Sequence, residues 1–251
     1  QLFMVQAYSN KDKKHEDFIA KMITEYHVGN LIFMQGTPEK QAELNNKYQA
    51  DAKLPLLIGF DGEWGLDMRL KNTYRFPWNM TLGALRNDSL IKQFGERLGK
   101  HCKRLGIHIN FAPVVDINTN PENPIIGNRS FGENKENVTQ KAIAFTQGIQ
   151  SQGVLASAKH FPGHGDTASD SHHTLPVLNF EMERLDAIEL YPYKKVFDAG
   201  IASVMTAHLS IPSLEPDSRL PTSLSKNVVT NLLQQKLGFL GLVITDGLNM
   251  K

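Results

Sequence analysis

The chain has 251 residues, of which 41% are hydrophobic and 21% are charged, as in ordinary soluble globular proteins. Lys and Arg number 27 and Asp and Glu number 26, so the net charge is +1. This balance argues against nucleic acid or an anionic membrane as the main partner, although a local charged pocket remains compatible with it. We expect a single domain over residues 1–251, long enough to bury a large core without disulfides.

The lone cysteine, Cys102, excludes an internal disulfide and a cysteine-based zinc finger, and its helical surroundings favour a buried structural thiol. No apolar run approaches the roughly 18 residues of a membrane span, and no signal peptide is visible. Because the chain begins at Gln1 rather than Met, the missing signal says little about the compartment.

Short apolar runs alternate along the chain with longer helical stretches. The runs are rich in Val, Ile, Leu and Phe, which suits strands buried on both faces of a parallel sheet. In chain order the predicted strands are residues 2–5, 31–34, 54–60, 107–115, 154–158, 202–207 and 242–244. The predicted helices are residues 17–27, 37–48, 89–105, 137–152, 182–199 and 225–237. Four of these helices are followed by Gly and then by an apolar run, a repeated connection that predicts an α/β fold.

Two α/β architectures compete, a doubly wound sheet and a (β/α)₈ barrel. No G-x-G-x-x-G follows the first strand, which argues against a dinucleotide-binding Rossmann fold. Polar clusters follow several strands alike, as in barrels, so we favour a TIM-type (β/α) barrel, apparently truncated after the seventh strand. Such a barrel gathers the residues at its strand ends on one rim, namely Asp61, Asp116, Lys159, His208 and Asp246.

The densest polar cluster covers residues 159–176 and holds four of the nine histidines. Its glycines and proline exclude a helix and predict a loop leaving the fifth strand. One interpretation is a metal site with N and O ligands, and the other is acid/base catalysis, in which Asp170 orients His172 and raises its pKa. Spacing alone does not decide between them. The metal interpretation would use His160, His164, Asp166, Asp170 and His172.

Three further motifs place single side chains beside predicted strands. Asp246 follows the seventh strand directly and is a candidate nucleophile, metal ligand or helix N-cap. Asp61 ends the third strand in the same way, and nearby Trp64 is better explained by packing than by stacking on a sugar. Arg129 lies in a long loop and suits hydroxyl or carbonyl recognition, or a surface salt bridge.

Together these motifs resemble glycoside hydrolase family 3 over essentially the whole chain. The most specific piece is the Lys-His-Phe-Pro-Gly-His-Gly string at 159–165, and the Asp-Ser-His at 170–172 is typical of the β-N-acetylglucosaminidase branch. The strings 110–116, 129–132 and 244–250 also resemble family blocks. The resemblance implies a TIM-type barrel, no cofactor and no metal.

The resemblance also implies a role for each matching position. Asp246 corresponds to the nucleophile and His172 to the general acid/base with Asp170 as its partner. The sugar-binding positions correspond to Asp61, Arg69, Arg129, Lys159 and His160. Branch members remove terminal β-linked N-acetylglucosamine from muropeptides or chito-oligosaccharides, and some family members continue into a further C-terminal domain. The compartment stays open between the bacterial cytoplasm and the periplasm.

The chemistry is coherent without the family, because a protonated His can supply the acid usually provided by a second carboxyl group in retaining glycosidases. Three alternatives stay open. A metal-dependent hydrolase lacks its expected H-x-H after the first strand, and a non-catalytic carbohydrate-binding relative should have lost Asp246 or His172. Phosphorolysis of a β-N-acetylglucosaminide also fits, since a His acid/base tolerates phosphate as acceptor.

Overall fold

Seven parallel strands lie side by side in chain order, β1 to β7, in a computed structural model that describes residues 1–167 and 175–249. Each strand hydrogen-bonds to its sequence neighbour, and helices fill the connections, which is the winding of a (β/α) barrel. The strands are β1 (Met4–Ala7), β2 (Asn30–Phe33), β3 (Leu57–Phe60), β4 (Ile109–Asn110), β5 (Leu155–Phe161), β6 (Ser203–Thr206) and β7 (Leu242–Thr245). The predicted TIM-type α/β architecture with seven strands is confirmed.

The connecting helices begin where the sequence supplies caps. Asp12 and Thr37 accept hydrogen bonds from backbone N–H groups of α1 and α2, and Pro38 occupies the first turn of α2. The helices are α1 (Lys13–Thr24), α2 (Pro38–Asp51), α3 (Asn79–Gly83), α4 (Asp88–Arg104), α5 (Lys135–Gln150), α6 (Met182–Ala187) and α7 (Tyr191–Asp198). Short 3₁₀ turns cover Leu66–Met68 and Gly127–Arg129, and Asn227–Lys236 forms a π-helical segment.

The core is continuous between the strands and the helices that cover them. Ile58, Ala158 and Val204 from three different strands are fully buried, as are Leu98 and Ile149 on the packed pair α4 and α5. Cys102 also lies in this core, where burial raises the pKa of its thiol to about 12, so the predicted structural thiol is confirmed. Among the described residues, no helix is long and apolar enough to cross a membrane.

The parallel arrangement puts the carboxyl ends of all seven strands at one edge. Asp61 follows β3, His208 lies two residues beyond β6, and Asp246 follows β7. Lys159 lies near the end of β5. Val115, the residue before Asp116, donates its N–H to the Lys159 carbonyl. The predicted gathering of these five residues on one rim therefore follows from the strand order.

Three predicted elements differ clearly from the structure. The helix expected over residues 182–199 is two helices with a break at 188–190, because Pro192 lacks an N–H donor and instead starts α7. The strand expected over 107–115 pairs regularly only at Ile109–Asn110, since Pro113 cannot donate to a ladder. The strand expected to end at 158 continues to Phe161, so Lys159 and His160 lie on β5 and not in the predicted loop.

Candidate active site

Asp61 sits between two cations at the carboxyl ends of β3 and β5. Its Oδ2 accepts a hydrogen bond from Arg69 Nη2 at 2.5 Å, and its Oδ1 accepts one from Lys159 Nζ at 3.1 Å. Burial favours the neutral carboxyl, but the charges of Lys159 and Arg69 outweigh it and lower the pKa of Asp61. The predicted sugar-binding residues Asp61, Arg69 and Lys159 are thus brought together as one ionised group.

Glu63 joins this group to Arg129. The Arg129 guanidinium donates from Nε and Nη2 to the two oxygens of Glu63, at 2.9 and 2.8 Å, and Lys159 Nζ lies 2.7 Å from Oε1. The Glu63 side chain is 0% exposed, whereas that of Arg129 is 22% exposed. Burial would raise the pKa of Glu63, yet Arg129 and Lys159 hold it far below its usual range. Glu63 therefore remains a buried anion that fixes two cations.

Asp116 organises the start of the histidine-rich segment. Its carboxylate accepts hydrogen bonds from the backbone N–H groups of His160 and His164, and Oδ2 lies 2.7 Å from His160 Nδ1. On the other side of the ring, Arg129 Nη2 lies 3.2 Å from Nε2. Because a guanidinium only donates, Nε2 must accept, so the proton of His160 is on Nδ1 and points at Asp116.

Several contacts hold residues 161–167, the segment that follows His160, in place. A side chain at Gly165 would collide with the carbonyl of Ile117, so the close approach requires glycine. Burial, followed by the effect of His160, lowers the pKa of His164 to about 4, and its Nδ1 lies 2.7 Å from Thr167 Oγ1. His164 is therefore neutral near pH 7 and acts as part of the framework.

A second arginine holds the other side of this segment. Arg184, on α6, donates to Asp166 at 3.1 Å and to both oxygens of Glu189 at 2.5 and 2.6 Å. Glu189 lies in the break between α6 and α7 and packs against Gly163. The broken helix thus anchors the polypeptide that leads toward residues 168–174.

Asp246 stands at the β6–β7 side of the same edge. Its N–H donates to Thr206 at 2.9 Å, and its Oδ1 accepts from the backbone N–H of Gly247 at 2.7 Å. His208 Nε2 lies 3.1 Å from the Gly247 carbonyl. Because residues 250–251 lie outside the described residues, the helix N-cap interpretation of Asp246 stays open.

Asp170 and His172, the predicted acid/base pair, lie outside the described residues, so their placement stays a prediction. Of the five residues in the metal interpretation, the described ones bond to protein groups: His160 to Asp116, His164 to Thr167 and Asp166 to Arg184. In the part of the chain that the structure describes, no three His, Cys, Asp or Glu side chains are arranged to hold a metal ion.

Glu63 has no predicted role in the sequence, and Asp116 is predicted only as a residue of the rim. The missed signal is charge balance, because the predicted sugar site had three cations, Arg69, Arg129 and Lys159, against Asp61 alone. Buried cations need compensating anions, so further carboxylates at strand ends were required. Trp64, by contrast, packs as predicted, with its ring centroid 4.3 Å from that of Trp78.

The glycosyl hydrolase family 3 N terminal domain matches the chain over residues 1–251. The chain belongs to this family. Beta-hexosaminidase A of Pseudoalteromonas piscicida is 34% identical over 255 residues, covering 92% of this chain and 43% of that protein. A family 3 β-N-acetylglucosaminidase structure from Paenibacillus sp. str. FPU-7 matches with a TM-score of 0.92 and 41% identity, over 100% of this chain and 48% of that chain.

A phosphorylase also appears among the similar structures. The beta-glucoside phosphorylase BglX bound to 2FGlc matches with a TM-score of 0.93 and 25% identity, over 100% of this chain and 46% of that chain. The present chain spans about half the length of these relatives. Family membership therefore establishes the barrel, while the reaction, the substrate and the acceptor need separate argument.

Proposed function

We propose that this family 3 barrel serves a retaining exo-β-N-acetylglucosaminidase that removes terminal β-linked N-acetylglucosamine from muropeptides or chito-oligosaccharides. The observation that carries the proposal is a charge-balanced cluster of Asp61, Glu63, Lys159 and Arg129 on the same strand edge as Asp246. Such an edge offers fixed donors and acceptors for sugar hydroxyls together with one carboxylate for the anomeric carbon.

Asp246 is the proposed nucleophile. One oxygen, Oδ1, is engaged by the Gly247 N–H, so we assign the attack on the anomeric carbon to Oδ2. The bond that forms is a glycosyl ester on Asp246, and the bond that breaks is the glycosidic bond to the leaving oxygen. Water then attacks the same carbon and releases the sugar with its original configuration.

His172, with Asp170 as its partner, is the proposed acid/base. In the first step its imidazolium gives a proton to the leaving oxygen, and in the second step the neutral ring takes one from water. An imidazole avoids a second anion beside Asp246. Arg184, Asp166 and Glu189 support this assignment by anchoring the polypeptide just before the 168–174 segment.

The proposed sugar-binding residues are Asp61, Arg69, Arg129, Lys159 and His160. Lys159 has three N–H donors and places two on carboxylates, which leaves one for a hydroxyl. The partly exposed guanidinium of Arg129 can bind a second hydroxyl while Glu63 holds it in plane. For His160, binding of a hydroxyl requires Nε2 to exchange its Arg129 donor for the sugar.

Phosphorolysis is the second candidate, favoured by the similarity to the phosphorylase BglX. In that reaction phosphate replaces water as the acceptor in the second step, and the product is a sugar 1-phosphate. A His acid/base suits this acceptor, because a carboxylate in its place would repel phosphate.

The test is a panel of p-nitrophenyl β-glycosides assayed with the purified protein, with and without phosphate and with and without EDTA. We expect the N-acetylglucosaminide to be cleaved faster than the glucoside, with no effect of EDTA. Accumulation of a sugar 1-phosphate would identify phosphorolysis. Equal or faster cleavage of the glucoside would contradict the branch, and loss of activity with EDTA would favour the metal-dependent alternative.

A further inference from the structure

His208 lies on the catalytic edge, and the proposed reaction gives it no role. It follows β6 by two residues and is half-buried. Its Nε2 lies 3.1 Å from the Gly247 carbonyl, and its Nδ1 lies 2.6 Å from Oγ of the buried Ser223. Both ring nitrogens are therefore engaged, one of them by the residue that follows the proposed nucleophile.

The partners fix where the proton of this ring must be. A carbonyl oxygen only accepts, so Nε2 of His208 carries a proton and donates it to Gly247. In the neutral ring Nδ1 then accepts from the Ser223 hydroxyl, which can donate in that direction. The ring is thus held at both ends in a single tautomer and orientation.

Gly247 passes this constraint to Asp246. The Gly247 carbonyl is held by His208 while its N–H donates to Asp246 Oδ1 at 2.7 Å. The Asp246 N–H is itself fixed on Thr206, in register with the β6–β7 ladder. We infer that His208, oriented by Ser223, is a positioning residue that sets the direction of the Asp246 carboxylate through Gly247.

This inference rests on the proposed function, because it assumes that Asp246 is the nucleophile. Its physical basis is that a nucleophile must face the anomeric carbon within a narrow range of distance and angle. The turn at 246–247 follows a strand end, so without the His208 hydrogen bond the turn can rotate and carry the carboxylate with it. Substrate binding by the β3–β5 cluster does not depend on this bond.

The experiment compares three histidine variants. His208→Phe keeps a planar ring but removes the donor to Gly247, and His208→Gln restores an N–H donor near the position of Nε2. The control is His108→Phe, directly before β4. His108 accepts a hydrogen bond from the Ile58 N–H, but it is exposed and lies at the opposite, amino-terminal edge of the sheet.

The readout is the rate at which 5-fluoro-β-N-acetylglucosaminyl fluoride inactivates the protein. Fluoride leaves without a proton, so this rate reports attack by Asp246 without the acid/base residue. We expect His208→Phe to slow inactivation by about 10²-fold, the cost of misplacing a reacting group. The inactivator concentration for half-maximal rate should change by less than about twofold, since ground-state binding is untouched.

Three further results should accompany this one. We expect His208→Gln to recover to within about fivefold of the unmodified protein, because one neutral hydrogen bond is restored. His108→Phe also removes a histidine hydrogen bond, and it should leave the inactivation rate unchanged. Ser223→Ala, which removes only the hydroxyl, should slow inactivation about threefold to tenfold, and it tests the idea even if His208→Phe does not fold.

The inference is overturned if His208→Phe and Ser223→Ala are inactivated as fast as His108→Phe. It is also overturned if His208→Phe raises the inactivator concentration for half-maximal rate without lowering the maximal rate of inactivation. It also fails if His208→Gln is as slow as His208→Phe, since a donor is then not what matters. Failure of the proposed function looks different. In that case Asp246→Ala would still be inactivated at the normal rate, whatever the His208 variants do.

Discussion

Glu63 offers the sharpest test of the charge cluster, because its carboxylate is completely buried between two cations. Glu63→Gln keeps the shape of the side chain and removes the charge. Among the described residues, Arg129 then loses the only carboxylate to which it donates two hydrogen bonds. Lys159 keeps its ion pair with Asp61. Breaking a buried pair by removing one partner costs about 3–5 kcal/mol, since the remaining charge stays desolvated.

Taking about 3 kcal/mol for this variant, and about 2–4 °C per kcal/mol for a domain of this size, the melting temperature should fall by roughly 6–12 °C. The matched control is Glu16→Gln, which removes a carboxylate from the more accessible pair with Lys40, whose charged groups lie 3.1 Å apart. The Lys40 side chain is 34% exposed and that of Glu16 is 14% exposed. A pair that is open to solvent in this way contributes about 0–1 kcal/mol, so this control should shift the melting temperature by less than about 4 °C.

Acid unfolding supplies an independent check of the same reasoning. The pKa of Glu63 is lowered in the folded state, so its stabilising effect is complete above the ordinary Glu pKa of about 4.3. That effect is lost progressively as the pH falls below this value toward the folded-state pKa. The gap in unfolding free energy between the unmodified protein and Glu63→Gln should therefore narrow below about pH 4. If Glu63→Gln lowers the unfolding free energy at pH 7 no more than Glu16→Gln does, Glu63 is not a buried, ionised group.

Three further predictions concern activity. Asp246→Ala should lower kcat by several orders of magnitude, and a variant that keeps more than about a tenth of kcat would exclude Asp246 as nucleophile. His172→Ala should slow the cleavage of substrates with poor leaving groups far more than that of p-nitrophenyl substrates, and it should show a burst of p-nitrophenolate with turnover restored by azide. Equal slowing for both kinds of substrate and no effect of azide would make the acid/base role untenable. Arg129→Lys keeps the charge but cannot bond both oxygens of Glu63, so kcat/KM should fall by about tenfold or more in steady-state assays. An unchanged kcat/KM would mean that the two parallel hydrogen bonds from the Arg129 guanidinium to Glu63 do not matter for activity.

The rim of the barrel was predictable from sequence because it depends on two regular features. Parallel strands share one carboxyl edge, and a polar residue just after an apolar run must lie at that edge. Asp61 and Lys159 are 98 positions apart in sequence, yet they meet at 3.1 Å for this reason alone. The family motifs added proposed roles for the same positions but did not indicate which side chains pair with one another.

The details that sequence reasoning missed depend on the register between neighbouring strands and on competition for partners. Glu63 follows Asp61 by two residues in a loop, and nothing in its local sequence distinguishes a solvent-facing carboxylate from one enclosed by Arg129 and Lys159. The break between α6 and α7 had a signal in Pro192, although a proline near a helix end also fits an unbroken helix with a kink. Its anchoring of Asp166 through Arg184 could not be read from spacing.

The two halves of the edge are held by different kinds of interaction, and the difference suits the proposed chemistry. On β3–β5, three carboxylates balance three cations, so the donors offered to a neutral sugar are fixed before the sugar arrives. On β6–β7, the described contacts to the turn of Asp246 come from the Thr206 carbonyl, the Gly247 N–H and the His208 ring, and none of these three is a Lys or Arg side chain. A cation bonded to Asp246 would stabilise its negative charge and weaken its attack on the anomeric carbon. The Gly247 N–H orients the carboxylate without that cost, which is why a histidine that bonds the Gly247 carbonyl fits this position better than an arginine or a lysine on the carboxylate would.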